Sequence, residues 1–277
     1  MTYDHIRVTP LATSVGAEIS GVDLSRELGN QQFQEIHDAL MANLVIFFRD
    51  QTLTAEQHKD FGRRFGRLHV HPAAPGLLAG HPEILVVKAD ETSKHVAGEE
   101  WHSDVSCEAE PPMGSILHLH EVPADGGGDT LFANMYAAYE ALSPPLRRLL
   151  EGMTAIHDGE RVFRGRYAVD DRGREFPRAE HPVVRTHPVT GRKALFVNRW
   201  FTDRIVQLKR PESAALLEML YRHVETPEFH CRFKWRAGSI AFWDNRCAQH
   251  HAIWDYYPQR RYGHRVTIAG DQPFHRA

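Results

Sequence analysis

Apolar and polar residues repeat along this chain on two periods, and the switch between them marks out the elements. Residues 31–42 (QQFQEIHDALMA) place Phe33, Ile36, Leu40 and Met41 on one face of a 3.6-residue repeat, which predicts an amphipathic helix. Residues 44–48 form a short unbroken apolar run, β-branched and aromatic, which predicts a buried strand. Thr54, with Gln57 three residues on, forms a capping box and opens a helix to about Phe65, with Gly66 ending it. Asn134 and Ser143 are N-caps for helices at 135–142 and from Pro144 to just before Gly152, and 211–224 is again amphipathic. Shorter runs bounded by glycine and proline predict strands at 83–89, 115–122, 130–133, 239–243 and 260–269. A hairpin is expected within 6–24, and a second one pairs 183–186 with 194–197. Phe229, Cys231, Phe233 and Trp235 alternate with His230, Arg232, Lys234 and Arg236, the pattern of a strand with one buried face. Residues 69–82 and 90–100 are expected as loops, the second polar and mobile, and 158–182 as a flexible excursion. Many short strands, with helices gathered in the first half and in excursions, predict a mainly β fold with helical decoration (α+β), a β-sandwich or jelly roll. No repeat, low-complexity tract or linker divides the chain, so one domain over 1–277 is expected.

Composition narrows what this fold does. A chain of 277 residues buries roughly three quarters of its unfolded surface and needs no staples. The net charge of −3 argues against nucleic-acid binding. Cys107, Cys231 and Cys247 are far apart and fit a reducing compartment. The N-terminus lacks the apolar run of a signal peptide and no stretch has the length of a membrane span, so a soluble, cytoplasmic protein without a membrane partner is expected.

Nineteen histidines are many for this length, so spacing has to decide which carry chemistry. In Trp101-His102-Ser103-Asp104, a strand would point His102 and Asp104 to one face, where both could bind one metal ion. His58 and Asp60 have the same spacing but fall in the predicted helix, about 200° apart, and cannot share an ion. His69/His71 and His118/His120 are H-x-H pairs; the second lies on a strand and is a rival metal pair, or else a solvated face. A third ligand is available where the strand at 239–243 runs on to His250 and His251. Two histidines and a carboxylate with open positions form the facial triad of non-heme Fe(II) oxygenases. Arg261 and Arg265 are four apart on the last strand, on one face and about 13 Å from each other. Turned inward they would each need an anion; turned outward they would be ordinary salt-bridge partners.

Several long motifs, in order, extend the triad: FGRLHVHP, WHSDVSCEAEPPMGSIL, GGGDTLFANMYAAYEALS, HPVVRTHPVTGRKALFVN, FWDNRCAQH and PQRRYGHRVTIAGDQPF. Together they resemble the TauD/TfdA family of Fe(II)- and 2-oxoglutarate-dependent dioxygenases, over most of the chain. The resemblance implies a double-stranded β-helix core with His102, Asp104 and His250 as iron ligands. It implies that Thr130 and Arg261 hold 2-oxoglutarate, that His71 and Arg265 meet the anionic head of the substrate, and that Phe163 and Phe201 wall its pocket. Fe(II), 2-oxoglutarate and O2 are the implied cofactors, a small anionic molecule the implied substrate, and a homodimer or tetramer the implied assembly. Two positions depart from the taurine pattern: Ala74 stands where a tyrosine is usual, and Gly98 where an asparagine is usual. These belong to the part that grips an amine, so the expectation is taurine or a related sulfonate, with aryloxyalkanoates or alkyl sulfates as the alternative and a non-catalytic metal-binding jelly roll as the alternative of another class.

Overall fold

The computed structural model describes residues 2–72, 76–166 and 170–276. The chain opens with β1 (Arg7–Pro10) and β2 (Ala17–Ser20), an antiparallel pair, followed by α1 (Asn30–Asn43) and β3 (Val45–Phe48). Next come α2 (Ala55–Arg63), the two-residue strands β4 (Leu68–His69) and β5 (Leu77–Leu78), β6 (His81–Ala89), β7 (Gly114–Glu121) and β8 (Thr130–Asn134). Helices α3 (Met135–Glu140) and α4 (Pro144–Leu150) lead to β9 (Thr154–Asp158), α5 (Glu160–Phe163), β10 (Arg178–Pro182), β11 (Val184–Thr186), β12 (Lys193–Leu195) and β13 (Thr202–Ile205). After α6 (Arg210–Val224) the chain closes with β14 (His230–Phe233), β15 (Ile240–Asp244), β16 (Ala248–Ala252) and β17 (Arg261–Ile268).

Two sheets make the jelly roll. The larger runs β1-β2-β3-β15-β7-β17-β6-β5, with β4 also on β17, and the smaller runs β14-β8-β16. They pack face to face through Phe47 of β3, which stacks on Phe233 of β14 with ring centroids 3.9 Å apart and meets Phe132 of β8 edge-on. The unbroken apolar run of β3 follows from its place: Val45 and Phe47 enter this inter-sheet core, while Ile46 and Phe48 enter a second core under α1 and α2. α1 supplies Ile36, Ala39 and Leu40 to that second core, and α2 is fixed by the expected capping box between Thr54 and Gln57. Such a cap contributes about 1 kcal/mol. None of the described helices is long and apolar enough to cross a membrane.

The structure corrects three expectations. The stretch 69–82 is not all loop, because β5 pairs with β6 and β4 with β17. The stretch 158–182 is not a free excursion: β10 pairs with β9 over five residues and α5 precedes it, while β13 pairs with the other edge of β9. Its sequence hid this because the apolar partners lie on β9, outside the polar stretch. His118 and His120 are neither a metal pair nor a solvated face. His118 lies buried under α2 with Nε2 3.1 Å from the Gln51 carbonyl, and His120 bonds His264 at 3.1 Å.

Candidate active site

His250 lies at the middle of β16 and packs against Trp243 and Phe132, with ring centroids 4.7 and 6.0 Å away. Opposite it, His102 makes one antiparallel bridge: its N–H donates to the His250 carbonyl at 3.1 Å, and its carbonyl accepts from the His250 N–H at 2.9 Å. The expected strand through Trp101–Asp104 goes no further than this bridge. The Asp104 N–H donates to the Asn245 side chain at 3.2 Å instead of to a neighbouring strand, and the chain turns through Val105 at φ 45°. The turn still delivers both side chains to one place. His102 Nε2 lies 3.6 Å from Asp104 Oδ1, and the ligand atoms of His102, Asp104 and His250 all lie within 4.8 Å of one another.

Protonation suits a cation there. His102 Nδ1 donates to the Glu100 carbonyl at 2.8 Å, which turns Nε2 toward Asp104. Burial, with His102 beside it, pushes His250 well below the ordinary histidine range and keeps it neutral. Burial alone would raise the Asp104 pKa, but Arg265, His250 and His102 hold the carboxyl well below its usual range. Arg265 Nη1 donates to Asp104 Oδ1 at 2.7 Å.

The two inward arginines differ. Arg265 has Asp104, although its Nε lacks a partner. Arg261 is 5% exposed, its Nε has no hydrogen-bond partner, and no carboxylate of the described residues pairs with it. Burial lowers its pKa, and the Trp235 ring, 5.5 Å from the guanidinium, is a weak substitute for an anion. Beside it, the Thr130 hydroxyl accepts from the Trp235 indole N–H at 2.9 Å, which turns its own proton toward another acceptor. Gly128 takes φ 82°, and a Cβ there would sit 3.1 Å from both Arg261 Cδ and the Tyr256 ring, so a glycine here lets the backbone pass close to the Arg261 side chain. Arg261, Thr130, Arg265 and His250 line one cavity. A cation and a hydroxyl donor thus converge on one cavity, with no anion of the described residues paired to the cation.

On the other side of His102 stand the aromatic residues. Phe201 lies 6.3 Å from the His102 ring and 5.8 Å from Phe163, and His71 meets Phe163 edge-on at 5.6 Å. Burial, with Arg265 nearby, pushes the His71 pKa down to about 3. Ala74 lies outside the described residues. Gly98 takes φ 86°, and a Cβ there would meet His102 Cε1 at 3.2 Å, so this position borders the candidate metal ligand.

A second cluster has metal-like spacing: His187, Asp244 and Cys247. Its capacity is already used. Asp244 accepts from His187 Nε2, the Arg246 N–H and two Arg246 guanidinium nitrogens, and His187 Nδ1 accepts from the Val189 and Thr190 N–H groups. Arg246 and His187, working against burial, hold the Asp244 carboxyl far below its usual range. This network anchors the turn before β16.

Sequence reasoning missed four residues that frame the site. Trp200 packs edge-on to His102 at 4.5 Å. Trp235 orients Thr130, and its place on the buried face of an alternating segment was the available signal. Ser115 and Asn245 bond Asp104, and nothing in their local sequence marks them.

With this geometry in place, the family model "Taurine catabolism dioxygenase TauD, TfdA family" matches residues 7–267. The chain belongs to this family. It is an Fe(II)- and 2-oxoglutarate-dependent dioxygenase of TauD/TfdA type, with the jelly-roll core the resemblance implied. An alpha-ketoglutarate-dependent sulfate ester dioxygenase of Pseudomonas putida is 37% identical, covering 97% of this chain and 91% of the relative. An alpha-ketoglutarate-dependent sulfonate dioxygenase of Saccharomyces cerevisiae is 34% identical, covering 97% of this chain and 68% of the relative. The crystal structure of a taurine dioxygenase from Burkholderia xenovorans superposes with a TM-score of 0.85 at 39% identity, covering 98% of this chain and 91% of that one. The residues fit the family's two groups: two histidines and a carboxylate for a cation, and an orphaned buried arginine for a dicarboxylate.

Proposed function

We propose that this TauD/TfdA-type enzyme hydroxylates a small organic anion of the sulfonate or sulfate-ester class at the carbon next to the anionic group. His102, Asp104 and His250 would hold Fe(II). Arg261 and Thr130 would hold the distal carboxylate of 2-oxoglutarate. The observation that carries the reading is Arg261, a buried cation with no carboxylate partner among the described residues, facing the same cavity as His250. When bound, iron and 2-oxoglutarate supply the oxidising chemistry: O2 is consumed, 2-oxoglutarate becomes succinate and CO2, and a substrate C–H becomes C–OH. The protein's own part is placement. Arg265 and His71 would receive the sulfonate or sulfate group, and Phe163, Phe201 and Trp200 would exclude water around the carbon chain. The supports for this substrate class are the inward Arg265, the aromatic wall, and the names of the relatives. Gly98 and Ala74, in place of the amine-gripping pair, favour an anion without an amine. A cytoplasmic setting, suggested by three free, buried cysteines, and a homo-oligomer complete the reading.

The test is aerobic incubation with Fe(II), 2-oxoglutarate and a panel of alkanesulfonates, taurine, alkyl sulfates and aryloxy acids. Hydroxylation beside sulfur or oxygen gives a product that breaks to a carbonyl, so sulfite release marks a sulfonate and sulfate release a sulfate ester. The reading predicts succinate formed together with one of these anions. Succinate formation with aryloxy acids alone, or with none of the panel, rejects the substrate class.

A further inference from the structure

The candidate metal carboxylate is held by more than its ion pair, and the two oxygens are held differently. Asp104 Oδ1 faces His102 Nε2 and accepts from Arg265 Nη1. Asp104 Oδ2 accepts the Ser115 hydroxyl proton at 2.7 Å. Ser115 is fully buried on β7, and its oxygen accepts in turn from Asn245 Nδ2 at 3.2 Å. Asn245 Oδ1 then accepts both the Asp104 backbone N–H and the Trp243 indole N–H, at 3.2 and 3.0 Å. With its Oδ1 taken by those two N–H groups, the Asn245 amide presents its N–H to Ser115, so the serine proton points to Asp104. The chain Trp243–Asn245–Ser115–Asp104 therefore has one direction and ends on the oxygen turned away from the histidines.

We infer that Ser115, oriented by Asn245, is a positioning residue that keeps Asp104 a one-oxygen ligand. An unrestrained carboxylate beside a hard cation readily offers both oxygens. Two histidines and one oxygen take three of six positions and leave room for the keto-acid end of 2-oxoglutarate. A second Asp104 oxygen would leave only two positions, which that chelate would fill, and none for O2. The Ser115 hydroxyl occupies that second oxygen, so the carboxylate gives one bond and keeps its charge.

This inference rests on the ligand assignment proposed above, and the test separates the two. Co(II) serves as an oxygen-stable probe, with affinity measured by equilibrium dialysis and coordination read from the visible absorption of the bound ion, and nitric oxide, as a stand-in for O2, is titrated optically into the anaerobic protein loaded with Fe(II) and 2-oxoglutarate. Ser115→Ala removes the hydroxyl. Ser115→Thr and Ser115→Val are matched in shape and differ by the hydroxyl alone, so a packing effect moves both alike. The expected result is that Ala and Val variants bind Co(II) at least as tightly as wild type, with an altered spectrum. With 2-oxoglutarate bound they take up nitric oxide about tenfold or more weakly, and the Thr variant recovers wild-type values. Unchanged nitric oxide affinity in the Ala and Val variants overturns the inference, as does equal loss of affinity or folding in Thr and Val. Asp104→Ala is the control for the assignment: if it binds Co(II) as wild type does, the ligand reading itself fails, whereas Asp104-dependent binding that is indifferent to Ser115 removes the positioning role alone.

Discussion

Two buried histidine–aspartate clusters share the β15–β16 hairpin and have opposite characters. Around Asp244 the hydrogen-bond inventory closes: each carboxylate oxygen and each His187 nitrogen has a partner, and Arg246 grips the carboxylate with two nitrogens. Around Asp104 it stays open: His250 Nδ1, Arg261 Nε and Arg265 Nε are buried without partners, and Arg261 has no counter-ion among the described residues. Spacing does not separate them, since both bring three ligand-type atoms within 4.8 Å. What separates them is spare bonding capacity. A buried network that closes serves the fold, and one that leaves charge unmatched is built around something that binds.

Exchange of the two aspartates breaks this comparison most sharply. Asp104→Ala is expected to lower Fe(II) affinity by more than about 100-fold, the upper range of outer-shell changes, in a protein that still folds although Arg265 loses its counter-ion, as measured by equilibrium dialysis and circular dichroism. Asp244→Ala strands Arg246 and His187 and is expected to cost about 3–5 kcal/mol in urea unfolding, while the folded fraction binds Fe(II) normally. Arg261→Met is the next largest. Removing an unpaired buried cation is expected to stabilise the cofactor-free protein, by about 1–4 kcal/mol if it follows buried ion-pair replacements, and a drop in thermal midpoint would show that Arg261 already has a structural partner.

The interior histidines outside both clusters sharpen the contrast through pH. Burial holds the pKa of His58 down to about 3 and those of His118 and His181 to about 4, against an ordinary 6.5. These rings are neutral when folded and take up protons near pH 6.5 when unfolded, so protonation favours the unfolded chain. Stability is full above pH 6.5 and falls progressively as pH drops toward 4. Thermal midpoints from pH 8 to 4 check the direction, and a flat profile over that window contradicts it. The smallest effect is at Gly98. Gly98→Ala is expected to cost about 1–2 kcal/mol from its positive φ, with a weaker Fe(II) complex because the new methyl presses on His102.

Much of this was legible in the sequence where the chemistry lies in local spacing. The pair Arg261 and Arg265 is readable because strand geometry puts residues four apart on one face, and the unbroken run of β3 because a strand between two cores has no polar face. His102 and Asp104 were readable as a pair although the backbone carrying them turns instead of running as a strand. The family motifs then chose His250 over His251, which spacing left open. Ser115 and Asn245 were not legible, because their roles depend on partners 11 to 141 residues away. β10 and α5 stayed hidden because a polar segment becomes a strand when a distant edge, here β9, accepts it.

The central claim is that Arg261 exists to meet the distal carboxylate of 2-oxoglutarate. Calorimetric titration of the Fe(II)-loaded protein under anaerobic conditions, with 2-oxoglutarate and with pyruvate, tests it directly. Both carry the keto-acid end, and only 2-oxoglutarate carries the second carboxylate. The account predicts that 2-oxoglutarate binds at least about 100-fold more tightly in the wild type, roughly 3 kcal/mol for a bidentate buried charge pair, and that Arg261→Met brings the two ligands close together. Equal affinities in the wild type, or a preference that survives Arg261→Met, would contradict it.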